Sequence, residues 1–225
     1  MVIETQGAAA SDRFEPASAV RYYTEAIAQH AARLAVNRDA STIADLVTSR
    51  SALMSIHLVA HDAKAARAQA SEIVAQLDAW PGTRDRRYPH AVEAAALLVL
   101  GDARADRSAE TLAQTQPLDA VRYAASVGRR DLVEKLAARA DAENPSATAI
   151  ARLVAAAGAH DWSAARAFAR AARAHLEARV SEVSGLALPL APRGAPTAWP
   201  ALRDAIAHCT AAHCALAAPL TAFAD

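Results

Sequence analysis

AHDAKAARAQA, residues 60–70, returns ninety-nine positions later as AHDWSAARAFA, residues 159–169. Each copy sets an aspartate, Asp62 or Asp161, ahead of an alanine-rich run. Aspartate is a strong helix N-cap because its carboxylate accepts the orphan backbone N–H groups of the first turn. Both copies therefore read as the turn and second helix of a helical hairpin. A second alignment widens the pattern: RYAASVGRRDL (122–132) sits over RLVAAAGAHDW (152–162). Gly128 and Gly158 read as left-handed helix ends, and Asp131 and Asp161 as the starts of the helices that follow. Recurrence at about 30–33 residues is the spacing of stacked helical hairpins.

The best local match is NPSATAIARLVAAAGAHDWSAARAFARAAR, residues 144–173. It resembles a tetratricopeptide repeat: Asn144-Pro145 opens the first helix, Gly158 precedes the turn, Asp161-Trp162 starts the second helix, and Ala165 and Ala172 stand seven apart. The turn is one residue longer than the family's, and the first helix lacks its large aromatic. DAVRYAASVGRRDLVEKL (119–136) also resembles the ankyrin hairpin, without that family's Thr-Pro-Leu-His signature. The resemblance implies a degenerate helical repeat over residues 119–173, an α-solenoid of stacked antiparallel hairpins that binds through a concave surface.

Composition points the same way. Of 225 residues 65 are alanine, the best intrinsic helix former, and aromatics make up only 4%. The expectation is an all-α chain of about ten helices. Lys64 and Lys135 are the only lysines, and with the alanine this preference for arginine reflects GC-rich coding of bacterial type. Lys+Arg and Asp+Glu balance at 24 each, without the basic excess that a nucleic-acid binder uses against phosphate. The N-terminus lacks the basic residues and apolar core of a signal peptide. AVEAAALLVLG (91–101) falls short of the 18 or so apolar residues of a membrane span and reads as a buried helix. Cys209 and Cys214, five apart on a helix, would hold their Cα atoms about 8 Å apart, beyond disulfide reach. A reduced, cytoplasmic protein is expected, with no cofactor and no membrane or nucleic-acid partner.

Punctuation by proline, glycine and capping residues sets the expected organisation. Residues 1–14 read as a flexible leader and 15–80 as an N-terminal helical bundle, with Ser41 and Thr42 as caps of its second helix. PGTRDRRYP (81–89) reads as a linker or exposed loop, 90–185 as hairpin repeats and 186–200 as a Pro-rich connector. Residues 201–225 read as a C-terminal helix and tail.

Two groups of residues carry possible chemistry. His57 and His61 stand four apart on one helix face, the spacing by which two imidazoles share a metal. Glu25, His30, His90 or Glu93 would complete the set, an arrangement similar to that of small metal-dependent four-helix bundles of the DinB-like group. The glutamate that metalloproteases place beside the first histidine is absent, since Leu58 stands there. Partly buried surface histidines are the alternative. In HCTAAHC (208–214) only Cys209 and His213 converge on a helix, and no second Cys pair completes a zinc site.

The second group is a binding surface. Arg21, Tyr22 and Tyr23 cluster densely, and both residue types are favoured at interfaces. Arg122 and Arg152 recur at matching positions of two hairpins, where they could meet an acidic partner. No phosphate loop, nucleophile elbow or paired carboxylates accompany them. The leading expectation is therefore a non-enzymatic adaptor, chaperone or inhibitor that binds a protein or peptide. A metal-dependent enzyme using His57 and His61, and a small-molecule sensor, are the alternatives.

Overall fold

The computed structural model describes residues 2–12, 16–37, 39–60, 62–80, 87–173, 194–207 and 216–225. Among them the chain is all-α, with twelve helices and no strand. Two compact units divide it, Met1–Ala109 and Glu110–Asp225. The first unit contains α1 (Val2–Asp12), α2 (Pro16–Val36), α3 (Ala40–Val59), α4 (Ala63–Ala79) and α5 (Arg87–Leu100). The unit boundary falls within α6 (Ala105–Leu112). The second unit holds α7 (Pro117–Ser126), α8 (Arg130–Glu143), α9 (Pro145–Gly158), α10 (Trp162–Arg173), α11 (Ala198–Ala207) and α12 (Ala217–Ala224).

Each unit is organised around one helix that is apolar on nearly every side. In the first this is α5, whose residues Ala91 to Leu98 are all buried against α3 and α4. In the second it is α9, which packs on α7, α8 and α10 with only Arg152 and Gly158 of its last thirteen residues outside the core. A helix without a polar face is a core helix. Alanine methyls line many contacts, so the large side chains that remain concentrate at particular joints. Trp162, Trp199 and Phe223 form one such joint between α10, α11 and α12, with the two tryptophan rings 5.2 Å apart in an edge-on arrangement.

The repeated turns close by the same backbone device. At Gly128 (φ 75°) the N–H bonds Ala125 O at 3.0 Å, and the next N–H, of Arg129, reaches back to Ala124 O at 2.9 Å. Gly101 (φ 68°) and His160 (φ 60°) close α5 and α9 with the same pair of bonds. This is the Schellman ending, whose left-handed residue satisfies the last carbonyls of a helix. The expected equivalence of Gly128 with Gly158 is thereby corrected: Gly158 is the last helical residue of α9, and His160 takes the left-handed position. In the first copy of the opening stretch, Asp62 N–H makes the same long return bond to His57 O at 2.8 Å.

The helix starts follow the capping chemistry with two corrections. Asp62 accepts from Ala65 N–H at 2.9 Å, Asp161 from Ala164 N–H at 3.0 Å and Asn144 from Ala147 N–H at 3.1 Å. Asp39, rather than Ser41 or Thr42, caps α3, taking the Thr42 N–H at 2.8 Å and its hydroxyl at 3.0 Å. Asp131 lies inside the first turn of α8 and pairs with Arg129, which holds its carboxyl down to about 2. The Ala164 N–H, then the Arg130 guanidinium 2.8 Å away, likewise lower the Asp161 carboxyl.

Several expected boundaries also move. Residues 2–12 form α1 rather than a frayed leader. The expected linker at 81–89 shrinks, because Arg87–Pro89 open α5, while 81–86 lie outside the described residues. Since α5 packs on α3 and α4, the units part inside α6 and not at that linker. Ala198–Pro200 belong to α11, and the single C-terminal helix expected within 201–225 is α11 and α12, with 208–215 outside the described residues. Pro89, Pro200 and Pro219 each occupy the third position of a helix. The first turn leaves its N–H groups unpaired, so proline costs no hydrogen bond there. No helix among the described residues is long and apolar enough to cross a membrane.

Candidate functional site

The two expected clusters lie in different units, so each is taken by itself. In the first unit α2 presents two unlike faces. Ala19, Tyr23, Ala26 and His30 recur at helical spacing on the inner face, where Ala19, Ala26 and His30 are buried. On the other side Arg21, Glu25, Ala28, Ala32, Ala35 and Val36 are exposed, Val36 at 91%. Arg21 and Tyr22 come together, with the guanidinium 4.8 Å from the ring centroid, a cation–π contact. Tyr23 does not join them. Its ring lies against α1 at Gly7, where a Cβ would come within 3.0–3.2 Å of three ring atoms.

The inner face of α2 also holds a polar hub absent from the sequence reading. A single carboxylate oxygen of Glu4, on α1, accepts from His30 Nε2 of α2 at 2.8 Å and from Ser49 Oγ of α3 at 2.8 Å. His30 is 5% and Ser49 1% exposed. Burial opposes the charge on Glu4, but the hydrogen bonds from His30 and Ser49 outweigh it and bring the carboxyl down to about 2. The signal that could have found it was a glutamate among small residues facing a helix with a histidine on its buried face.

That hub bears on the metal reading, since it commits His30 to Glu4. Glu25 is exposed on the far side of α2. His57 is half-buried in the last turn of α3, and His90 and Glu93 sit a turn apart on α5. His61, Cys209, His213 and Cys214 lie outside the described residues. Among the described residues no three His, Cys, Asp or Glu side chains are grouped to hold a metal ion.

In the second unit Arg122 and Arg152 stand on α7 and α9, helices that pack directly on one another. Both are turned to acidic side chains of their own unit. Arg122 pairs with Asp119 one turn earlier at 3.4 Å. Arg152 binds Glu134 at 3.2 Å and Asp141 at 3.0 Å, both on α8, and its guanidinium lies 5.8 Å from the ring centroid of Phe168 on α10. Its side chain is only 21% exposed. Arg152 therefore ties α8, α9 and α10 together. The chain matches no family model, no curated protein and no solved structure.

Proposed function

We propose that the chain is a non-enzymatic helical-hairpin protein of adaptor, chaperone or inhibitor type, degenerate tetratricopeptide-like in its second unit. The stacked hairpins α7–α8 and α9–α10 support the repeat reading. The partner, a protein or peptide, meets the outer face of α2. The observation that carries this is the exposure of Arg21, with Tyr22 beneath it, in line with Ala28, Ala32, Ala35 and Val36 along one side of a 21-residue helix. A small, flat apolar strip flanked by charge suits a second helix, because alanine lets two helix axes approach to the close end of about 8–10 Å.

Native mass spectrometry of the chain purified gently from its own host tests this. A co-purifying protein is expected, and it should be lost from the Ala32→Glu/Val36→Asp double variant at unchanged melting temperature. Retention of the partner by that variant overturns the α2 assignment. A mass excess of tens of daltons that disappears on denaturation, with no protein partner, would replace it with the metal reading through His57 and His61.

A further inference from the structure

α1 is held in an unusual way for a helix of a compact unit. Of Ile3 to Ala10 only Gly7 and Ala10 are buried, so within that stretch apolar burial contributes little to its docking. Its position instead depends on the Glu4 carboxylate, shared between His30 and Ser49, and on the absence of a side chain at Gly7 under the Tyr23 ring. Glu4, Gly7 and Ala10 fall at i, i+3 and i+6, a single stripe along one side of a helix. The matching face of α2 and α3 is thus built to receive three things: a carboxylate, a glycine and a methyl group.

We propose that α1 is a displaceable in-chain ligand, and that the face formed by Tyr23, His30 and Ser49 binds any short helix carrying carboxylate, glycine and alanine at those three positions. Removing α1 takes away the acceptor that His30 and Ser49 share, and a competing helix would restore that hydrogen bonding along with the cover over the face. The tether raises the local concentration of α1 to the millimolar range, so a free helix of the same pattern competes only when the clamp is weakened. This face is the inner side of α2, so the inference does not rest on what the outer side binds.

The probe is a fluorescent synthetic peptide of residues 2–12, titrated against the full chain carrying Glu4→Ala. That variant keeps His30 and Ser49 to receive the peptide's own glutamate. Binding at least tenfold tighter than to the wild-type chain is expected, with no binding of peptides carrying Glu4→Ala or Gly7→Leu. Failure of a folded Glu4→Ala chain to bind, or equal binding of all three peptides, overturns the proposal. So does global unfolding of Glu4→Ala, which would make α1 an integral part of the core. Hydrogen exchange of the wild-type chain gives an independent readout. The α1 amides should exchange at least a hundredfold faster than those of α3, and exchange in step with α3 overturns the proposal equally.

Discussion

The Glu4 hub of the first unit and the Arg152 hub of the second do the same job by opposite means. Each joins three consecutive helices through one side chain. Glu4 is a single anion that takes hydrogen bonds from two nearly buried donors, whereas Arg152 is a single cation set between two half-exposed carboxylates and an aromatic face. The difference is in what is left behind when the centre is removed. Without Glu4, His30 and Ser49 keep their burial and lose their acceptor; without Arg152, Glu134 and Asp141 return to water. In helices lined with alanine, whose methyls interlock weakly, such directional contacts set which helix lies where, and the burial of the partners decides how much each is worth.

The largest effect is therefore expected at Glu4. Glu4→Ala should lower unfolding stability by about 2 kcal/mol in urea titrations at pH 7, the cost of stranding buried donors. Because its folded carboxyl sits near 2 against an ordinary 4.5, this contribution is present above pH 4.5 and fades as pH falls from 4.5 through 2. Discounted for the part of the carboxylate that reaches solvent, about 1–2 kcal/mol should disappear over that window, and Glu4→Gln should flatten it. An unchanged slope in Glu4→Gln would remove the hub from the account of acid stability.

Arg152→Glu is expected to cost about 1 kcal/mol, since half-exposed pairs are worth little and the reversed charge faces two carboxylates. Near 1 M salt, where the screening length falls to about 3 Å, most of that deficit should vanish, whereas the Glu4→Ala deficit should persist. Equal salt sensitivity in the two variants would erase the distinction between the hubs. The smallest change expected is a gain. His160→Gly should raise stability by about 0.5–1 kcal/mol, because glycine adopts the left-handed position without the strain a side chain brings. A loss there would mean that the imidazole makes contacts worth more than its backbone strain.

Helix type, the hairpin turns and the buried nature of residues 91–98 were legible in the sequence, because caps, glycines and alanine runs are local signals. What depended on long-range pairing was not. The acidic partners of Arg152 lie 18 and 11 residues away, so its match to Arg122 in local spacing concealed an internal role. α1 was missed because VIETQGAAASD has no apolar stripe; its docking uses a hydrogen-bonded carboxylate and a missing side chain, which hydrophobic periodicity does not record. His160 displaced Gly158 as the left-handed residue because reading glycine as the helix end assumes that only glycine takes that conformation. Prolines at the third helical position shifted two helix starts, at Pro89 and Pro200, and made Pro219 read as a helix end, for the complementary reason: proline reads as a boundary, yet the first turn accommodates it.

The alanine-lined contacts have a calorimetric consequence. Heat capacity changes on unfolding in proportion to the apolar area newly hydrated, at about 12–15 cal/mol/K per residue for ordinary domains. A chain with 65 alanines brings its helix axes close while hiding little hydrocarbon per residue, so its value should fall below that range. The stability curve is then shallow: modest at its maximum, slow to decline on either side, and resistant to cold.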